Sequence, residues 1–465
     1  MYVYSPLSGR FKTVFDFVIK NFNSIIKVEK WQRTDSLPSS DDGLVVWDYI
    51  ENLETYSSKF EVLIFIPVSP DFVKTIENGI SVNRNLAQNF RFREDEFLSL
   101  FPVNRNTQHI AEIRLEHIIF SSDLIAQQFI LLSGYDEQFS PKDQLNRNTF
   151  KGSLIEHFKL IYRALSDETN LVFIFAMHSI GIPESIRMHD GYTWRLKVTH
   201  DIDHLKKWTP GYFIRSFLSS TNWSGENISG LLSELIRSFH EIDPYKKSLE
   251  ILISMDQKFN AKPAVFLRTG YSDKRDSKID FNSDEVKKLV ELQKNNGFEI
   301  GIHPSIKSAS DFHQMEKDWN EISIALPSVQ KITRQHFLMY DIKKTPFIHR
   351  KLGFLEDYTI GFTDHDGLKR ATVNPFYAFD FENWEICDVK CIPLVAMDVT
   401  FQDYRKISAQ QAFQFTKQVL DEVIRYQGHV SVLVHNSYTE KERYEWLKWF
   451  DQILDYGKVK YGLLN

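Results

Sequence analysis

From about residue 190 onward the chain alternates short β-rich runs with helical stretches, and this alternation constrains the fold more than any other feature. The runs are RLKVT (195–199), PAVFLR (263–268), FEIGI (298–302), KITRQ (331–335), YTIGF (358–362), CIPLVAM (391–397) and HVSVLV (429–434). Helical stretches such as SDEVKKLVELQKNNG (283–297) and AQQAFQFTKQVLDEVIRYQG (409–428) lie between them. Such alternation builds a parallel sheet, open or closed into a barrel. Each run is followed by polar residues: HDID, TG, HPS, HFL, TDHDG, DVT and HNS. Parallel α/β folds carry their active sites at these C-terminal strand ends. A purely structural use of His and Asp scatters them over solvent-facing helices instead.

The densest cluster is Thr199-His200-Asp201-Ile202-Asp203-His204. Two carboxylates and two imidazoles directly after an apolar strand are expensive to bury without a cation or a task. The bland alternative is an Asx-type turn with solvated charges. One of the alternating carboxylates, Asp201 and Asp203, is suited to holding a metal while the other stays free as a base. His303, in GIHPS, also ends a strand, and the competing reading is a hydrogen-bonded structural imidazole. Arg334 and His336 add a cation and another imidazole; an Arg paired with a nearby carboxylate fits a working site and a structural one equally. His435 follows the last apolar run, as a general acid or simply as a strand end.

Before this region, the first 185 residues mix short β runs with amphipathic helices. LVVWDYI (44–50), VLIFIPV (62–68) and LVFIFAM (171–177) read as buried strands. FKTVFDFVIKNF (11–22), DLIAQQFILL (123–132) and LIEHFKLIYRAL (154–165) carry helical periodicity. TDSLPSSDDG (34–43) reads as a surface loop. A chain of 465 residues exceeds one ordinary core. The expected division is therefore a smaller α/β accessory domain at 1–185, without a metal-ligand or nucleophile cluster, followed by the alternating region at 186–465.

A net charge of −6 argues against a nucleic-acid partner. No apolar run is long enough to span a bilayer. The opening MYVYSPLSGRFKTVFDFVIK lacks a signal peptide's order, so a cytoplasmic location is expected. Cys387 and Cys391 are expected to be buried apolar thiols rather than a redox pair.

In their order and strand-end placement, these motifs resemble the polysaccharide deacetylase family (carbohydrate esterase family 4, the NodB-homology domain). The family's fold is an incomplete (β/α)7 barrel. THDID at 199–203 resembles its first motif, T-[FH]-D-D-G or a D-x-D variant, which implies Asp201 as catalytic base and Asp203 as metal ligand. GIHPSIK resembles the start of H-[ST]-x-x-H, implying His303 as a ligand, although Lys307 stands where the second His belongs. TRQHF suggests Arg334 as the tether of the catalytic Asp. SVLVH resembles the final motif, implying His435 as the acid, with Asp398 as its orienting carboxylate and Asp364 behind it. THDIDHL, GIHPS, RQHFL and LGF…GF also resemble a divergent branch found with capsule and exopolysaccharide genes. That branch carries an α/β domain before the barrel, and SSDLIAQQFILLSGYDE (121–137) is similar to a segment of it.

A catalytic zinc site needs roughly three protein ligands and a water. Asp203 and His303 supply two, and His336 is the first choice for the third, ahead of His204 and His200. The resemblance implies a divalent metal, zinc foremost, and hydrolysis of an N-acetylated glycan. Three rivals stand beside it. A glycoside hydrolase needs two carboxylates on separate strands. An amidohydrolase needs a His-x-His strand motif, which is missing. A non-catalytic glycan-binding barrel is kept open by Lys307.

Overall fold

A computed structural model describes residues 2–27, 32–39, 43–114, 116–180, 187–188, 194–219, 225–438 and 445–461. The expected boundary at 185/186, and residues 40–42 of the expected surface loop, lie outside the described residues.

The N-terminal region is built on a six-stranded sheet. Its strands are β1 (Tyr2–Tyr4), β2 (Gln32–Arg33), β3 (Leu44–Asp48), β4 (Leu63–Pro67), β5 (Ala111–Arg114) and β6 (His117–Phe120), in the order β2-β1-β3-β4-β6-β5. All neighbours pair in parallel except β5 with β6. Helices α1 (Arg10–Ile25), α2 (Leu124–Ser133) and α3 (Leu165–Ser179) cover it. The run LVFIFAM, expected as a strand, lies inside α3. An apolar stretch this short fits a strand and a helix buried around much of its circumference equally well, and α3 is of the second kind. Within the expected helix 154–165 the chain is helical over Leu154–His157 and becomes so again at Leu165, where α3 begins, because Lys159 turns into the left-handed region at φ 56°.

The second sheet has nine strands: β7 (Arg195–Ile202), β8 (Ala264–Arg268), β9 (Glu299–His303), β10 (Ile332–Thr333), β11 (Glu356–Asp357), β12 (Phe376–Asp380), β13 (Glu385–Cys391), β14 (Leu394–Met397) and β15 (His429–Leu433). Their order is β12-β13-β11-β10-β9-β8-β7-β15-β14, parallel apart from the β12–β13 hairpin. The fold is mixed α/β, and this sheet curls. Near one end of the order lies β13, which stops at Cys391, and at the other end is β14, which starts at Leu394. Only two residues separate β13 from β14 along the chain, and the Leu394 amide donates to the Ile360 carbonyl beyond β11 (2.9 Å), which draws the sheet into a curl. YTIGF, expected as a strand, is irregular beyond β11: Gly361 passes so close to Leu394 that a Cβ there would stand 2.9 Å from the Leu394 carbonyl.

Helices wrap the outside of the curl, among them α4 (Pro244–Phe259), α5 (Asp284–Asn296) and α6 (Phe312–Ala325). α5 starts at a Ser283 N-cap and ends at a left-handed Gly297, as its sequence signals require. Strand alternation divides the side chains. Val265 and Leu267 of β8 join an outer apolar cluster with the helices, while Ala264 and Phe266 join Ile332, Tyr358 and Ile392 inside. Gly301 makes room for that inner cluster, since a Cβ there would lie 2.6–2.8 Å from Ile332 and Phe266 atoms.

The two sheets are not separated by polar space. One apolar cluster includes α1 and α2 residues together with Phe376, Phe379, Cys387 and Cys391 of the hairpin. The Phe379 ring stands edge-on to Phe17 and Phe129, at 5.3 and 5.1 Å. Both cysteines are free and buried. No helix among the described residues is long and apolar enough to cross a membrane.

Candidate active site

Strand β7 sorts the densest polar cluster by its pleat. Thr199 and Asp201 face the inside of the curl, and His200 between them faces out. The His200 ring donates through one nitrogen to the Val434 carbonyl (2.9 Å) and meets the Asp256 carboxylate of α4 with the other (3.0 Å). Both ring nitrogens are thereby occupied, so His200 is removed as a ligand candidate. His204 stays exposed at the mouth, outside the group formed by the other imidazoles.

Asp203, His303 and His336 bring one potential ligand atom each to within 4.8 Å of one another. Ligand atoms about 2.1 Å from a tetrahedral ion stand roughly 3.4 Å apart. Asp203 Oδ1 lies 3.3 Å from His303 Nε2 and 3.7 Å from His336 Nε2. This carboxylate oxygen is buried without a hydrogen-bond partner, as expected of an atom whose natural partner is a cation.

The imidazoles are aimed for the same purpose. His303 Nδ1 donates to the Arg334 carbonyl (2.6 Å), which leaves Nε2 as the lone-pair nitrogen. His336 Nδ1 donates to Asp276 Oδ1 (3.1 Å), the carboxylate–histidine arrangement that fixes a metal-binding tautomer. Burial pushes the His336 ring down to about 4 against the pull of Asp276, so it is neutral at pH 7 and needs no deprotonation to bind metal. Burial works to raise Asp203, but with no cation bound the protonated forms of His303, His336 and His435 outweigh it and hold the carboxyl well below the usual range. The donor set therefore fits a divalent ion such as zinc.

Asp276 was not legible in the sequence. It sits in SDKRDSK (272–278), where charges read as a solvated loop. In the fold it is buried, ion-paired with Arg268, and accepts from the Ser272 and Asp273 amides (2.8 and 2.9 Å). Lys307, which replaces the motif's second His, is exposed and lines no part of the cleft.

Asp201 lies beside the triad. Arg334 is fully buried beneath it, donating to Thr199 Oγ1 (2.7 Å), to Asp201 Oδ1 (3.3 Å) and to the Tyr358 carbonyl (3.0 Å). Its guanidinium lies 5.0 Å from the centre of the Phe266 ring, so the inner apolar cluster floors the site. Asp201 Oδ2 stands 3.6 Å from His303 Nε2 and 3.9 Å from His435 Nε2.

His435 lies two residues beyond β15 and is held by Asp398, which follows β14. Asp398 accepts the ring Nδ1–H and the backbone N–H of His435, both at 2.7 Å. Burial lowers this imidazole's affinity for a proton, but the Asp398 carboxylate outweighs it and pushes the pKa up to about 9. One cleft thus contains an imidazole held neutral and another held as imidazolium, the separation that acid–base chemistry uses. Asp364, the alternative partner for His435, instead accepts from the Phe150 amide (3.0 Å).

These groups open into a cleft of about 480 Å³, whose lining includes Tyr245, Phe337, Tyr404 and Tyr438. Phe337 and Leu338, directly after His336, are both left-handed at φ 57° and 52°. Each costs about 1–3 kcal/mol and persists only where the surroundings enforce it.

No protein-family model matches the chain, and no curated protein matches it. Solved structures give partial likenesses. One, described as a polysaccharide deacetylase from Mycobacterium smegmatis, is 14% identical over 58% of this chain and 86% of its own, with a TM-score of 0.38. A second, from Pseudomonas aeruginosa PAO1 and described in the same terms, is 12% identical over 57% and 85%, with a TM-score of 0.37. A 4-alpha-glucanotransferase from Thermococcus litoralis is 12% identical over 58% and 38%, with a TM-score of 0.36. Likenesses of this size carry no functional argument, which rests on the side chains.

Proposed function

We propose that the chain is a metal-dependent hydrolase that removes N-acetyl groups from an amino-sugar-containing glycan or glycan precursor. In this reading residues 186–465 form an incomplete (β/α)7 barrel of the deacetylase type. The observation that carries it is the meeting of a three-ligand cation site, a further carboxylate and a carboxylate-backed imidazole in one cleft.

Asp203, His303 and His336 hold the ion, zinc in this reading. Once bound, a divalent ion acidifies water and polarises a carbonyl. Asp201, oriented by Arg334, takes the proton of the attacking water. His435, kept protonated by Asp398, gives its proton to the departing sugar amine. Acetate and a free amino sugar are the products. A glycoside hydrolase requires a second carboxyl group about 5–9.5 Å away, across the scissile bond. The neighbouring carboxylates are committed elsewhere, Asp203 to the cation site and Asp398 to His435, which favours amide hydrolysis.

Acetate release from an N-acetylated oligosaccharide tests the reading. Chelation is expected to abolish release while leaving the circular dichroism spectrum unchanged, and Zn²⁺, Co²⁺ or Mn²⁺ to restore it. Full turnover by metal-free protein would overturn the mechanism. His435→Ala is expected to cost amide hydrolysis far more than hydrolysis of an activated acetyl ester, whose leaving group needs less protonation. The ratio of the two kcat/KM losses measures that role.

A further inference from the structure

We propose that Arg147, contributed by the N-terminal region, is a positioning residue of the metal centre: its guanidinium holds the left-handed turn that carries His336. This rests on Asp203, His303 and His336 being a cation site, and it gives the N-terminal region a task in the chemistry.

Arg147 spends its donors on three different partners. Nε donates to Asp143 Oδ2 (2.7 Å), Nη1 to the Phe337 carbonyl (2.9 Å) and Nη2 to the Tyr404 hydroxyl (3.0 Å). The Phe337 carbonyl lies between the two left-handed residues, immediately after the His336 ligand. Neither Phe337 nor Leu338 is a residue that enters this region readily, so the turn needs an external clamp. Asp276 fixes the His336 ring, and Arg147 fixes the peptide that follows it.

Arg147 is itself presented rigidly. Asp143 Oδ1 accepts the Leu145 and Arg147 amides, each at 2.9 Å, and the Asp143 amide donates back to the Arg147 carbonyl (2.9 Å). The side chain is only 7% exposed, and what remains exposed lines the cleft. A comparable tie between the two regions lies away from the cleft. Asp167 accepts from the Val373 amide and the Asn374 side chain, both at 2.8 Å, and none of these residues lines the cleft. A planar fork with several donors suits the Arg147 arrangement, and an ammonium does not reproduce it.

The test is Zn²⁺ affinity of the full chain, measured by competition with a chromophoric chelator at a temperature where every variant is folded. Arg147→Met is expected to weaken Zn²⁺ binding about tenfold or more, the usual effect of losing a group that orients a ligand. The visible spectrum of its Co²⁺ form is expected to move toward that of His336→Ala. Asp167→Asn, which loosens the same two regions away from the cleft, is expected to lower the melting temperature with wild-type Zn²⁺ affinity. Folded Arg147→Met protein with wild-type affinity would overturn the proposal. If that variant does not fold, Asp143→Asn decides: it keeps the guanidinium but removes the charge that aims it, and unchanged affinity would overturn the proposal too. A wild-type chain that binds no Zn²⁺ would instead overturn the reading of the site, and this proposal with it.

Discussion

Both parallel sheets place an acid beyond their C-terminal strand ends, Asp123 fully buried and Asp203 half-buried at the cleft, and the two acids are treated oppositely. Asp123 follows β6 and caps α2, accepting from the Trp47 indole (2.9 Å), the Ser69 amide (2.8 Å) and the Ala126 amide (2.9 Å). Burial pushes it up to about 7, because its hydrogen bonds come from neutral dipoles that only partly replace water. Asp203 follows β7 and faces imidazoles, with one oxygen left unpaired. Its pKa moves down instead. Burial of an acid at a strand end therefore does not mark a site. Incomplete internal satisfaction, facing a cleft, does.

The largest expected effect separates Asp201 from every other acid. Asp201→Asn should reduce acetate release by about 10²–10⁴-fold with metal content and melting temperature near normal, which elemental analysis and thermal scans check. If the metal is lost as well, the roles of Asp201 and Asp203 are reversed.

Next comes the direct contrast between Asp123 and Asp203. Asp203→Ala should abolish stoichiometric metal binding with little effect on the metal-free protein's stability. Asp123→Ala should leave metal affinity intact and cost about 2–4 kcal/mol in denaturant unfolding, through a lost cap and orphaned buried donors. Similar behaviour of the two variants would break the comparison.

A smaller effect concerns His435. Activity should fall as pH rises through the pKa of the imidazolium, about 9 in the protein without metal. A bound cation offsets the pull of Asp201 and Asp203 and brings this limb lower, while the Asp398 share remains. Asp398→Asn should move the limb further toward acid in a pH profile of kcat/KM. An unmoved limb would assign it to another group.

The smallest effect lies in stability against pH. Asp123 has its folded pKa raised from 3.8 to about 7, so the native state keeps a proton that the unfolded chain has released. Its contribution to stability should decline as pH rises across that window. Comparing wild type with Asp123→Asn isolates the slope, and parallel curves would remove Asp123 as its source. Lys307→Ala should change neither metal content nor this slope.

The residues named from strand ends, Asp201, Asp203, His303, Arg334, His336, Asp398 and His435, all meet around one cleft. They were legible because a parallel sheet gathers its C-terminal strand ends, whatever the details of packing. Local ambiguity defeated other readings. LVFIFAM suits a strand as well as the helix it forms, and LIEHFKLIYRAL is interrupted at Lys159 by a backbone turn that periodicity does not encode.

What the sequence determined by itself was the alternation, the parallel sheet it imposes and the strand ends that carry the polar residues. Tertiary structure decided which of those side chains share a volume. The pleat of β7 turned Asp201 inward and His200 outward, a distinction of one residue in register. Curling of the sheet brought Arg334 onto Thr199 and Asp201, from strands that are not neighbours in it. Asp276 and Arg147 came to the site from loops whose charges carry no period at all. Their places depend on contacts between distant parts of the chain, which no local pattern records.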